Sequence, residues 1–255
     1  DMLAPVKLWM GLSNYTNLFS SPDFGTILIN TLVFTVGSVG LICGIGLVIA
    51  MLLNQPLRGR NIVRGVVFSP VMLSGAAIGI VWIYIFDHRY GLIQSLVSPF
   101  GLQSPRWLLD TQWTMAAVII VHVWKTLGYA VVIYLAGLQD VPRELYDAAE
   151  VDGANAWQRT RNVTLPMITP VILFNLIIGL INAFQYFTTP YVITTGDGRP
   201  ALSLMFYAMY LYQNAFVLYK MGYASAMAWV LFIVVVISSY VLFRTSARWV
   251  YYGGQ

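Results

Sequence analysis

The sequence predicts an all-α fold, a polytopic bundle of membrane-crossing helices forming a single domain over residues 1–255. Two observations carry that prediction. Only 9% of the 255 residues are charged and 58% are apolar or aromatic, against the roughly 25% charge of an ordinary soluble domain. Fourteen Lys/Arg and ten Asp/Glu are too few to solvate a core of this size, so a water-soluble enzyme, a disordered tail and a nucleic-acid binder are poor readings. The second observation is five stretches, nearly free of charge, each as long as the about 20 helical residues that cross a hydrocarbon layer of about 30 Å. Cys43 is the one cysteine, and His88 and His122 are the two histidines, which excludes a disulfide framework and a multi-cysteine metal site.

The first span centres on Thr26 to Leu53 and is rich in Gly, Val, Ile and Leu. The second runs from about Gly65 to Phe86, with Pro70 near its start, where a first helical turn has no donor to lose. The third, Trp113 to Leu138, carries Lys125 close to its middle; the fourth, Met167 to Tyr191, begins after Leu165-Pro166; the fifth runs from Gly222 to Phe243. Basic residues fall unevenly between them. Arg58, Arg60, Arg64, Arg143, Arg159, Arg161, Arg244 and Arg248 lie on one side and Lys7, Arg89, Arg106, Arg199 and Lys220 on the other, so the first group is read as cytoplasmic. Five spans then put the N-terminus outside with no signal peptide to carry it there, which implies an earlier span and at least six in the native protein. The segment Ala201 to Tyr219, crowded with Tyr and Phe, is read as an external interfacial helix within an external region 192–221.

Between the third and fourth spans lies a cytoplasmic loop, residues 139–166. Pro142 suits a helix start, and Glu144 and Asp147 fall in the first turns, where carboxylates complement the helix dipole. Asp152-Gly153 is turn chemistry, so a second short helix should follow and stop before Pro166. Ala148, Ala149, Gly153, Ala154 and Ala156 permit close approach, and Tyr146 and Trp157 are large aromatics on an aqueous loop. That combination suits a docking knob; a loop packed on its own membrane domain fits the composition equally well.

The run Asp147-Ala148-Ala149-x-x-Asp152-Gly153-Ala154, followed by Leu165-Pro166, resembles the EAA loop of binding-protein-dependent ABC importer permeases, whose fold is the type I permease bundle. Ala136-Gly137-Leu138-Gln139, Pro142-x-Glu144-Leu145-Tyr146, Gly11-Leu12-x-Asn14-Tyr15, Asn30-Thr31 and Arg248-Trp249-Val250 resemble its carbohydrate-uptake branch, which includes maltose and glycerol-phosphate permeases. The resemblance implies that Glu144, Asp147, Ala148, Ala149, Asp152, Gly153, Ala154 and Trp157 form a coupling helix seated on a cytoplasmic ATPase. It departs from the family at Asp147, where Glu is usual, and at Thr160, where an aromatic is common. It further implies a homologous second permease subunit, an ATPase dimer holding ATP and Mg, an extracytoplasmic solute-binding protein, and the inner membrane of a bacterium or archaeon. The loop Thr194 to Pro200 resembles the family's loop facing the binding protein; a flexible connector is the other reading.

A solute path needs polar groups turned toward the bundle interior. His122, Lys125, Thr126 and Tyr129 share one face of the third span. Asn175, Gly179, Asn182 and Tyr186 form a second stripe on the fourth, with Gln185 beside it. A mid-span Lys costs about 2.5 to 3.5 kcal/mol to insert, so Lys125 calls for a partner or a wet cavity, and either a structural pair or solute contact meets that need. His122 reads as a hydrogen-bonded interior residue before a proton relay, because no carboxylate lies within a span. Amides and aromatic faces suit sugars and polyols.

The resulting reading is a transmembrane permease subunit of an ATP-driven, binding-protein-dependent importer of a carbohydrate-type solute. The alternative is a stand-alone ion-coupled carrier or channel, which predicts membrane acids and an internal repeat that the sequence does not display. A membrane enzyme is weakest, for no nucleophile–base set, carboxylate pair or metal-ligand cluster occurs. No phosphate-cradling Gly-x-x-x-x-Gly-Lys-Ser/Thr run is present, so ATP hydrolysis is assigned to a partner, and no cofactor is assigned to this chain.

Overall fold

A computed structural model describes residues 9–56 and 58–251. Lys7, counted in the charge asymmetry, lies outside them. In chain order the helices are α1 Ser13–Phe19, α2 Pro22–Asn54, α3 Arg60–Phe68, α4 Gly75–Ile85, α5 Leu92–Val97, α6 Thr111–Gln139, α7 Arg143–Val151, α8 Ala156–Arg159, α9 Leu165–Phe184, α10 Thr188–Thr194, α11 Tyr207–Tyr212 and α12 Met221–Ser246. No strand occurs among the described residues. Four helices are long and apolar enough to cross a membrane, Pro22–Asn54, Thr111–Gln139, Ala156–Thr194 and Met221–Ser246, and the broken pair Arg60–Met72 with Gly75–Ile85 makes a fifth if it counts as one span. These are the five stretches expected from composition.

Two of them differ from the expected form. The second is already helical before Pro70, then tightens into a 3₁₀ turn at Ser69–Met72 and stops, and Ser74 opens a new helix. Pro70 therefore ends one helix and does not begin another. At about 1.5 Å per residue, α4 alone spans about half of the hydrocarbon layer. The fourth stretch ends at Phe184 and restarts at Thr188. Pro190 accounts for the restart, because an uninterrupted helix would drive its ring into the carbonyl of Tyr186, whereas a first turn accepts it. Pro170, inside α9, leaves the Pro166 carbonyl without its usual N–H, and the Thr169 hydroxyl donates to it at 2.6 Å.

The described residues form two compact units, those within 9–38, 73–122 and 181–237 in the first, and those within 39–56, 58–72, 123–180 and 238–251 in the second. In the first unit, Leu18, Ile27, Met205, Tyr207, Met209 and Met227 form one buried core and Ile78, Phe86, Ala117 and Val121 another. Asn30 and Thr31 serve structure here. Asn30 Nδ2 donates to the carbonyl of Leu202 at 2.7 Å, where the backbone turns through positive φ at Ala201 (+46°) and Leu202 (+59°). The Tyr207 N–H donates to Thr31 Oγ1 at 2.9 Å. The segment from Ala201 to Tyr219 is helical only from Tyr207, continuing through a π turn at Gln213–Val217. Leu204, Met205, Phe206, Tyr207 and Met209 are buried in this unit, while Phe216 to Tyr219 are exposed.

The second unit packs through small residues, as helices do where lipid offers no hydrophobic drive to associate. A Cβ on Gly46 of α2 would lie 3.4 Å from Ala130 of α6, one on Gly137 of α6 would lie 2.6 Å from Val171 of α9, and one on Gly179 of α9 would lie 3.3 Å from Val39 of α2. At Gly128 the contact is with backbone, because a Cβ there would run into the Val67 carbonyl oxygen.

Candidate functional site

The loop expected to form a helix-turn-helix does so, wholly within the second unit. Its first helix, α7, begins after Pro142 with Glu144 in the first turn. It ends in a Schellman motif: the N–H of Gly153 donates to the Glu150 carbonyl at 3.0 Å and that of Ala154 to the Ala149 carbonyl at 2.9 Å. Gly153 takes φ +76°, a left-handed conformation that costs glycine little. Asn155 then caps α8, accepting from the Gln158 N–H at 2.9 Å while the Gln158 side chain accepts from the Asn155 N–H at 2.7 Å. Arg159 and Glu150 form an ion pair at 2.8 Å between the two helices.

The second helix departs from expectation in one respect: it does not stop before Pro166. A π turn over Thr160–Thr164, closed by the Leu165 N–H on the Thr160 carbonyl, joins α8 to α9 without interruption. The wider turn accommodates Pro166, whose ring would crowd the preceding turn of a regular helix. Tyr146 of α7 reaches this junction, its hydroxyl 3.0 Å from that of Thr164. The elbow is thus braced at three points and fused to the base of α9.

Its surface is open. Glu144, Asp147, Ala148, Asp152, Gly153 and Trp157 are exposed, and Ala149 and Ala154 half-buried. Trp157 is 68% exposed, Val151 89% and Leu145 40%. Most of the Val151 and Trp157 side chains is therefore turned away from the rest of the described chain.

The residues expected along a solute path divide between the units. In the first, His122 is buried against Phe34, with ring centroids 5.1 Å apart, and against Tyr186, at 4.6 Å. Phe34 and Tyr186 stack in parallel at 4.5 Å, and Phe206 joins them at 4.9 Å from Phe34. His122 and Tyr186 therefore belong to an aromatic cluster, whereas Asn182 and Gln185 are exposed. In the second unit, Asn175 is buried and donates to the Val171 carbonyl of its own helix at 3.3 Å, and Gly179 packs on Val39. Lys125 and Thr126 are half-buried and Tyr129 exposed. Among the described residues no group of three His, Cys, Asp or Glu could hold a metal ion.

Comparison with known proteins decides the family. Residues 42–251 match the model of the binding-protein-dependent transport system inner membrane component. The chain belongs to that family. Its relatives include the probable ABC transporter permease protein YesP of Bacillus subtilis, 38% identical over 96% of this chain and 79% of the relative. Another is the sulfoquinovosyl glycerol transport system permease protein SmoG of Agrobacterium fabrum, 34% identical over 88% and 72%. A third is the trehalose/maltose transport system permease protein MalF of Thermococcus litoralis, 32% identical over 91% and 77%. The fold is that of a bacterial alginate ABC transporter solved with an alginate pentasaccharide-bound periplasmic protein: TM-score 0.85 at 23% identity, over 94% of this chain and 83% of that one.

The permease is thus a multi-pass inner-membrane component of a binding-protein-dependent transport system, and the family's permeases are its non-catalytic part. Several residues that shape the elbow escaped the sequence reading. Asn155-x-x-Gln158 carries a capping-box pattern that could have located α8. Glu150, Arg159 and the exposed Val151 had no such signal, since their roles depend on how two short helices fold back on each other.

Proposed function

We propose that this permease is one of two homologous subunits of an ATP-driven importer of a carbohydrate-type solute, and that the elbow of α7 and α8 is where a cytoplasmic ATPase dimer grips it. One observation carries the reading: a braced projection with an exposed apolar tip at Val151 and Trp157 is joined through Thr160–Leu165 to the helix bearing Asn175 and Gly179. A force on that tip moves the base of α9, because the Schellman turn, the Glu150–Arg159 pair and the Tyr146–Thr164 contact leave the elbow no soft joint of its own. ATP and Mg are held by the ATPase subunits, and an external binding protein delivers the solute.

The solute class follows from the named relatives, whose solutes are trehalose, maltose and sulfoquinovosyl glycerol, and from the side chains left open to a ligand. Tyr129 in one unit and Asn182 and Gln185 in the other offer an aromatic face and amides, the groups that hold sugar C–H patches and hydroxyls. Each is proposed as a solute contact in its own right. Asn175, Gly179, His122 and Tyr186 are assigned to packing, and Lys125 and Thr126 to half-buried positions on α6.

The test is reconstitution of the complete transporter in vesicles with its binding protein. Trp157→Ala should lower ATP-driven sugar uptake at least tenfold while the protein assembles in the membrane. Tyr129→Ala and Asn182→Ala should change uptake without changing ATPase binding. Uptake that proceeds without ATP would defeat the reading.

A further inference from the structure

Within the second unit, a cleft of about 280 Å³ opens beside α3 and α6. Arg64 and Gln139 supply its polar side chains, and Val67, Val131, Val132 and Leu135 its apolar wall. Arg64 is held in place, since Nη2 donates at 3.0 Å to the Leu53 carbonyl near the end of α2. Its Nε is buried with no hydrogen-bond partner among the described residues. A guanidinium has five N–H donors, and this one has no carboxylate to meet them. The ion pairs among the described residues are Glu150–Arg159 and Asp197–Arg199, and no acid occurs in the sequence between Asp23 and Asp87.

Three arginines, Arg58, Arg60 and Arg64, therefore gather on a short amphipathic stretch without a counter-charge of their own. Its apolar residues Ile62 and Val66 are 75% and 65% exposed, as suits a helix whose apolar side meets hydrocarbon. Gly128 lets the end of α3 touch the backbone of α6, which fixes the two walls of the cleft. A fixed cation beside an apolar wall in a membrane-embedded chain matches a ligand that joins a phosphate to a hydrocarbon tail.

We propose that this cleft binds one anionic glycerophospholipid, with its phosphate on Arg64 and the Gln139 amide and an acyl chain along Val67, Val131, Val132 and Leu135. The assignment rests on membrane insertion and not on the solute or the ATPase. Native mass spectrometry of the assembled transporter, titrated with phosphatidylglycerol or phosphatidylcholine in mild detergent, tests it. One phosphatidylglycerol should bind at least about tenfold more tightly than phosphatidylcholine, and Arg64→Gln should erase that preference. Because Arg64→Gln also removes the Leu53 contact, Val132→Trp supplies a second test: it fills the cleft with Arg64 intact and should likewise abolish tight binding, whereas Arg143→Gln on α7 should retain it. Equal binding of the two lipids, or undiminished phosphatidylglycerol binding in Arg64→Gln and Val132→Trp, would overturn the proposal. So would displacement of the lipid by millimolar inorganic phosphate, which would make this a phosphate site, and so would absence of the lipid from the assembled complex, which would mean that another subunit covers the cleft.

Discussion

Gly153 separates the shape of the elbow from its surface. It adopts φ +76°, and an added Cβ would meet no atom of the chain within 4 Å, so a side chain here costs conformation and not space. For alanine the left-handed region costs about 1–2 kcal/mol. That is a factor of about 5 to 30 in the equilibrium between the Schellman turn and its opened forms. Asparagine tolerates the same region far better, and a β-branched residue there is an outlier. The expected order of ATP-driven uptake, in vesicles containing the complete transporter, is therefore wild type, then Gly153→Asn, then Gly153→Ala, then Gly153→Val, with thermal unfolding of the membrane bundle unchanged throughout. If uptake instead falls with side-chain volume, so that Gly153→Asn is worse than Gly153→Ala, the glycine serves contact with a partner and the conformational argument fails.

The other predictions concern single contacts. Tyr146→Phe deletes the hydroxyl that meets Thr164 at 3.0 Å; removing a contact of about 0.5–1.5 kcal/mol should speed amide hydrogen exchange in α7 while leaving α12 unaffected. Gly128→Ala places a methyl into the Val67 carbonyl, and overpacking of this kind should cost about 1–3 kcal/mol, measured as a lower melting temperature in detergent; an unchanged melting temperature would show that α3 moves aside freely. Thr31→Val leaves the buried N–H of Tyr207 without its acceptor, for about 1–3 kcal/mol, and Thr31→Ser should restore most of the loss in the same measurement.

Much of this architecture could be read from composition, because lipid allows a spanning segment little besides a long apolar helix. The ends of α6 and α12 fall within a few residues of the expected ones for that reason. The breaks at Leu73–Ser74 and after Phe184 were hidden, since hydropathy is indifferent to whether an apolar run is straight. Pro70 and Pro190 are compatible with a helix start or a helix stop until the residues before them are placed. Pro166 misled in the other direction: a stop was expected, and a π turn carried the helix through.

Polar stripes proved harder to interpret than the elbow. Spacing expected Asn175, Gly179, Asn182 and Tyr186 along one helix; the first three lie on α9, whereas Tyr186, like Gln185, falls in the break after Phe184. Nor could spacing say that the Asn175 amide is satisfied by its own helix or that Tyr186 stacks on Phe34. The stacking partner of Tyr186 is more than a hundred residues away in the sequence, and the rotamer that turns Asn175 back on Val171 has no signature in spacing. The elbow was readable because its determinants are local, a dipole-matched first turn and a glycine in a turn, each within four residues of its partner.

Cross-linking from the tip of the elbow is the most direct measurement. With Cys43 replaced by alanine, Ala148→Cys or Asp152→Cys in the assembled transporter should join to the ATPase subunit through a short thiol-specific linker, and the same reagent on Arg199→Cys should not. Failure of both elbow positions to join any other polypeptide would contradict the account.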